Sequence, residues 1–283
     1  MARPEAREME AERPQKTSLV SVGTSGFSYR DWKGILYPEW LPARDWFHYY
    51  ATRFNAAEIN LTFYRPPTAK MLERWKDSVP PGFAFVLKAS QLITHQRRLA
   101  NCGEDLERMV AGYAPLGAQL ACILFQLPPS LGRDNERLER FIHLAAENLE
   151  CAPISPCHAL EFRNASWNTV ETLDLLARHG CGMVLHDMKG SGGWQWTRGK
   201  LEAGKLSLSV AELFSRPVPL IYLRFHGTTG KYAGEYGRQL LEPWAILARS
   251  ALERKMPVHA YFNNTQAGAA VRDALRLAEM LSA

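Results

Sequence analysis

The period of apolar and polar positions changes repeatedly along the chain, and that rhythm is the first guide to its elements. Short apolar or alternating runs fall at 19–23, 56–63, 83–88, 120–127, 157–163, 183–187, 220–227 and 257–264. Between them, apolar residues recur at helical spacing over 43–54, 68–77, 104–114, 135–148, 167–179, 209–214, 241–255 and 267–281. In the run 157–163 (CHALEFR), strand alternation assigns Ala159, Glu161 and Arg163 to one face and Leu160 and Phe162 to the other. The same parity separates Glu58 and Asn60 from Ile59 and Leu61, and Tyr222, Arg224 and His226 from Ile221, Leu223 and Phe225. The run LACILFQL at 120–127 is almost wholly apolar, as expected of a strand covered on both faces.

Strands alternating with helices predict a parallel α/β sheet, either an open doubly wound sheet or a closed (β/α)8 barrel. The strand ends decide between them. Nearly every run finishes in polar residues, namely Thr24, Glu58, Asn60, Lys88, Gln126, Glu161, Arg163, Asp187, Arg224, His226, Asn263 and Asn264. These converge on one pocket only if the sheet closes. We therefore expect a single TIM-barrel domain over 17–283, its pocket at the carboxyl ends of the strands, after a disordered charged tail over 1–16.

Three connections carry unusual composition. The segment 27–42 (FSYRDWKGILYPEWLP) reads either as a wall or lid, or as a loop that packs Trp32, Tyr37 and Trp40 onto the barrel rim. The Gly-rich stretch 190–200 reads as a flexible loop bearing Trp194 and Trp196, and 231–239 sets Tyr232 and Tyr236 one turn apart if it is helical.

Composition narrows the class without naming a function. With 46% hydrophobic and 22% charged residues and no apolar run near the roughly 18 residues of a membrane span, a soluble cytoplasmic globular protein is expected and no membrane partner. The five cysteines (Cys102, Cys122, Cys151, Cys157, Cys181) form no CxxC pair, so reduced thiols are expected rather than disulfides or a zinc site. The net charge of +5 suits an anionic small molecule or weak nucleic-acid contact equally. Neither a phosphate-binding P-loop nor a helix-turn-helix is present.

Seven motifs in order resemble the YecE-like family of TIM-barrel proteins, also called domain of unknown function 72. They are GTSGFSYRDWKG with LYP (23–38), EINLTFYRPP (58–67), the lysine closing FVLK, FQLPP (125–129), LEFRNASW (160–167), LRFHG with Tyr232 and Tyr236, and YFNN (261–264). Three positions depart from the pattern: Phe27 stands in place of tryptophan, Leu61 in place of a small polar residue, and Thr265 in place of an acidic one. The resemblance implies the barrel but brings no established reaction with it.

The polar strand ends support three chemistries. In the first, an enzyme acts on a small anionic or sugar-like substrate: Lys88, Arg163 and Arg224 bind oxyanions, and Asn60, Gln126, Tyr232, Tyr236, Asn263 and Asn264 orient it. Glu58 or Glu161 is then the general base and His226 the acid, with Asp187 beside them. In this reading Glu161→Gln abolishes turnover and leaves the fold intact. Paired carboxylates and cations at the mouth also read as structural ion pairs.

In the second, a divalent metal is the cofactor, held by Glu161, Asp187 and His226, with His95 as a further ligand type. The neighbouring arginines oppose it. In the third, the aromatic loops and basic mouth bind single-stranded nucleic acid without catalysis. A retaining glycosidase is disfavoured, because Glu58 and Glu161 belong to strands expected on opposite walls, beyond the roughly 5 Å such a mechanism needs.

Overall fold

The computed structural model describes residues 19–150, 156–188, 195–197, 200–203 and 206–282. The charged tail 1–16, Cys151 and Trp194 lie outside the described residues, as does the side chain of Trp196.

Six parallel strands come first: β1 (Val20–Ser25), β2 (Ala56–Ile59), β3 (Ala84–Lys88), β4 (Leu120–Gln126), β5 (Cys157–Glu161) and β6 (Gly182–His186). A small antiparallel sheet follows, made of β7 (Gln195–Thr197), β8 (Lys200–Ala203) and β9 (Leu206–Ser209). Then β10 (Ile221–Phe225) pairs with β6, and β11 (Val258–Phe262) joins β10 to β1, closing an eight-stranded barrel. The fold is the expected (β/α)8 barrel.

Strand parity sorts two cores. Inward-facing Val86, Leu124, Ala159, Val184, Tyr222 and Tyr261 fill the barrel, while Ile59, Leu160, Phe162, Leu223 and Phe225 belong to the layer beneath the helices. Close strand approach fixes Gly23 as glycine, since a Cβ there would stand 2.0 Å from the Ala56 carbonyl oxygen.

The helices are α1 (Trp46–Tyr50), α2 (Leu61–Tyr64), α3 (Ala69–Asp77), α4 (Gly103–Tyr113), α5 (Asn135–Glu150), α6 (Val170–Arg178), α7 (Val210–Phe214), α8 (Gly237–Glu253) and α9 (Ala269–Ser282). Local capping explains several starts. The Thr68 side chain accepts the Met71 N–H at α3, Thr169 accepts Thr172 N–H at α6, and Ser209 forms a reciprocal capping box with Glu212 at α7. Among the described residues, no helix is long and apolar enough to cross a membrane.

Four local readings change. The alternation of 56–63 does not continue as strand: Asn60 turns into the right-handed helical region, and Leu61–Tyr64 form one helical turn. Thr62 stabilises that turn, its hydroxyl bonding the Ile59 and Lys88 carbonyls. Within the Gly-rich stretch 190–200, Gln195–Thr197 form β7 and Lys200 opens β8 where loop was expected, while 190–194, 198 and 199 lie outside the described residues. Helix α1 is only one turn long, entered through a 3-10 turn at Ala43–Asp45. The segment 231–239 is not helical before Gly237, and Tyr232 lies at φ 66°.

In the aromatic loop, Trp32 and Tyr37 are buried, with the Trp32 indole bonded to the Thr265 carbonyl and Tyr37 stacked on Trp46. They pack the loop onto the rim, whereas Trp40 is 73% exposed. Cys102, Cys122, Cys157 and Cys181 are free thiols.

Candidate functional site

The polar strand ends form two tiers. In the lower tier, Arg224 of β10 binds Glu58 of β2 with two arms: Nε donates to Oε2 (2.9 Å) and Nη2 to Oε1 (2.6 Å). Its third arm, Nη1, donates to Oε2 of Glu161 at the end of β5 (2.5 Å). Ser25 Oγ and Tyr222 OH each add a 2.7 Å bond to Glu58. Glu58 and Glu161 are fully buried and Arg224 is 2% exposed.

Electrostatics follow from that geometry. Burial alone would raise both carboxyls, but the Arg224 charge holds Glu58 below the usual carboxylate range, and Arg163 with Arg224 hold Glu161 well below it. Both are therefore firmly ionised; both Glu58 oxygens accept hydrogen bonds, while Glu161 Oε1 has an ion pair with Arg163 but no hydrogen-bond partner among the described residues. A general base needs a pKa nearer neutrality, so neither carboxylate fits that role as it stands. Arg224, with three donors on two carboxylates, does not face the mouth as an oxyanion binder. One guanidinium also brings the two carboxylates together, so their strands' opposite positions do not separate them across open space.

The upper tier is built around Arg163. Its Nη2 pairs with Glu161 Oε1 and lies 3.1 Å from His226 Nε2, and Nη1 meets the Met188 sulfur at 2.7 Å. A guanidinium only donates, so His226 Nε2 is the acceptor and its proton sits on Nδ1, facing Asp187 Oδ1 at 3.4 Å. Asp187 Oδ1 also accepts the His226 backbone N–H at 2.9 Å. The Tyr236 hydroxyl donates to Asp187 Oδ2 and accepts the Gly227 N–H. Burial, then Arg224 and Arg163, push His226 well below its ordinary value. His226 is thus a neutral imidazole, not the near-neutral acid expected.

Lys88 closes β3 at the rim. Its Nζ donates to Gln126 Oε1 (2.9 Å) and lies 4.1 Å over the Phe63 ring. Burial, and after it the Arg224 charge, lower its pKa to about 8. His95 sits against the other side of this cluster, its ring 4.9 Å from Phe63, and burial lowers it too.

The remaining expected residues divide. Asn60 Oδ1 and Arg163 Nε are buried without a hydrogen-bond partner among the described residues, one acceptor and one donor at the strand ends. Asn263 is half-buried at the end of β11 and contributes a backbone bond to Phe225. Asn264 is turned into the scaffold, donating from Nδ2 to the Gly234 carbonyl and to Asp273. Tyr236 likewise orients Asp187, while Tyr232 is half-buried in the loop above.

Glu161, Asp187 and His226 do not fit a divalent cation. Both Glu161 oxygens face guanidinium groups, and Asp187 is taken by Tyr236 and His226. Among the described residues, the group with ligand atoms in mutual reach is Glu139, His143 and His179, on and after the outer helices α5 and α6.

Three contributors were not singled out from the sequence. His186, on β6 in register with Arg224, is fully buried 5.9 Å from His226, with burial lowering it to about 4. Ser25 and Tyr222 complete the Glu58 shell. Parity was the available signal, because His186 shares the inward face of Val184 and Tyr222 that of Arg224.

Known proteins agree with this architecture. The chain is 24% identical over 286 residues to UPF0759 protein YunF of Bacillus subtilis (strain 168), covering 93% of this chain and 95% of that protein. A DUF72 family protein of Thermotoga maritima MSB8 superposes with a TM-score of 0.74 at 27% identity, covering 93% and 99% of the two chains. D-allulose 3-epimerase from Methylomonas sp. shares the fold alone, with a TM-score of 0.51 at 12% identity over 93% of this chain and 96% of that one. The family model described as protein of unknown function DUF72 matches residues 21–283, so the chain belongs to that family.

Proposed function

We propose that the protein is an enzyme acting on a small anionic or sugar-like substrate by proton transfer at the carboxyl ends of the barrel strands. The observation that carries this reading is the inequality between the tiers. Glu58 has both oxygens bonded and Arg224 all three nitrogens, whereas toward the mouth Glu161 Oε1 has only its ion pair with Arg163, Arg163 keeps an unused Nε donor, Asn60 an unused acceptor, and Lys88 a single neutral partner. Buried polar atoms cost stability when unpaired, and a substrate's hydroxyl and oxyanion groups are of the kind that pair them.

Roles follow from the chemistry. Arg163 takes an oxyanion. Asn60, Gln126, Asn263 and Tyr232 orient hydroxyls. Lys88, with a pKa of about 8, is the group best matched to exchanging a proton near neutral pH. Glu58, Glu161 and Arg224 fix the height and charge of Arg163, while Asp187 and Tyr236 fix the His226 tautomer. The sugar epimerase fold neighbour is compatible with a carbonyl-bearing or hydroxylated substrate and decides nothing further.

The test is a thermal-shift screen of EDTA-treated protein against sulfate, phosphate, sugar phosphates and carboxylates, with Arg163→Met and Asn60→Ala alongside wild type. Metal-independent stabilisation by an anion, lost in Arg163→Met, supports the reading. Stabilisation only by oligonucleotides, falling steeply with salt, would replace it with the nucleic-acid alternative.

A further inference from the structure

Resting on that reading, we propose that Lys88 is a nucleophile that forms an imine with the carbonyl carbon of an aldehyde or ketone substrate. Two geometric facts and the local charge converge on this amine. Its Nζ has no carboxylate within ion-pairing distance among the described residues, and its polar partner, Gln126 Oε1, is uncharged. The Phe63 ring lies 4.1 Å from Nζ and covers one side of it. Burial first, then the Arg224 charge and more weakly that of Arg163, disfavour a second cation here, although Glu161 and Glu58 partly offset them. Such surroundings lower a lysine's pKa, so that near neutral pH a larger fraction of the amine is unprotonated and able to attack.

Lysines elsewhere on the molecule differ in kind. Lys33, Lys70, Lys76, Lys231 and Lys255 are exposed and hydrated. A lysine meant only to hold phosphate is served equally well by a solvated ammonium at the rim. Lys88 instead stands at a strand end, where its backbone carbonyl is fixed by Thr62 and its head by Gln126.

The step balances without a redox partner. The Nζ lone pair forms a bond to the carbonyl carbon, and the C=O π pair moves to oxygen. That oxygen takes one proton from the amine and one from solvent and leaves as water, giving a protonated imine. The iminium then draws electrons from the adjacent carbon, acidifying its C–H, which is what an isomerisation, epimerisation or carbon–carbon cleavage beside the carbonyl requires.

The experiment traps the imine. Wild type, Lys88→Arg and Lys88→Met are incubated with glycolaldehyde or dihydroxyacetone phosphate and sodium cyanoborohydride, then analysed by intact mass and peptide mapping. A single adduct on Lys88, at least tenfold faster than on any exposed lysine at pH 7 and absent from both variants, is expected. Its rate should climb through pH 8.

Adducts spread over Lys33, Lys231 and Lys255 with Lys88 unlabelled overturn the proposal. Thermal shift against glycerol 3-phosphate, which has the anion but no carbonyl, separates the two levels. Stabilisation by it together with an unlabelled Lys88 refutes the imine and leaves the anion reading standing. Neither stabilisation nor label removes both.

Discussion

Replacing Glu161 by glutamine changes one atom's chemistry and almost no volume, yet the structure makes it a severe perturbation. Wild-type Glu161 is fully buried, with Oε2 on Arg224 Nη1 and Oε1 on Arg163 Nη2. The two glutamates and two arginines of the cluster sum to zero charge. The glutamine leaves a net positive charge in the barrel and points an NH2 donor at a guanidinium donor. Removing one partner of a buried ion pair costs roughly 3–5 kcal/mol. For a chain of this size, that lowers Tm by about 10 °C.

The measurement is a calorimetric melt at pH 7 of wild type, Glu161→Gln, Arg163→Met and the double variant. Because the double variant restores neutrality, it should recover part of the combined loss, a coupling of about 1 kcal/mol or more. A single-variant Tm within about 2 °C of wild type, or a strictly additive cycle, refutes the charge-balance reasoning. The sequence alone pointed the other way, to an isosteric change that spares the fold.

Three further outcomes follow from the same physics. Lys88 is held at about 8 against an ordinary 10.5, so the folded state resists protonation and wild type is penalised below pH 8. Lys88→Met should raise stability at pH 7 by at most about 3 kcal/mol, and urea titrations should show that gain vanishing between pH 8 and 10.5. His158, His186 and His259 are each held by burial at about 4 against 6.5, so the unfolded chain takes up their protons first and stability falls as pH drops from 6.5 toward 4. His158→Leu, which deletes a buried Nε2 with no partner, should flatten that slope in the same titration; an unchanged slope refutes it. Gly227 lies at φ 108°, where a Cβ would stand 2.1 Å from the Ala233 carbonyl oxygen, so Gly227→Ala should cost about 2 kcal/mol or more in a thermal melt.

Period was enough to read the barrel, because inward-facing charges at the ends of so many strands can neutralise one another only where the sheet closes. Glu58, Glu161 and Arg224 do share the inward side, as alternation required. Their pairing was not legible. Which charge meets which depends on strand stagger, and residues of β2, β5 and β10 reach one height only in the closed sheet. The engagement of all three Arg224 nitrogens is a property of that height, as is the neutral state of His226 beside two guanidinium groups. The short sheet of β7, β8 and β9 escaped for a different reason: strands of three and four residues carry too little alternation to stand out from Gly-rich surroundings.

The two cations of the upper tier then compete for one role, and their chemistry separates them. An anion on Lys88 would favour the ammonium and suppress the amine that imine formation needs. Arg163 has no such conflict: it stays charged throughout, and its Nε is unpartnered while Nη1 faces only a sulfur, a weak acceptor. The oxyanion therefore belongs on Arg163. Sulfate distinguishes the two, because its own charge is constant from pH 7 to 9. Across that interval the protonated fraction of a group with pKa near 8 falls about tenfold, so an anion held by Lys88 loses affinity in proportion. Held by Arg163, sulfate should bind with less than about a threefold change by calorimetry, the residue reflecting only the distant loss of the Lys88 charge. A full tenfold loss would assign the anion to Lys88 and leave no free amine for the carbonyl.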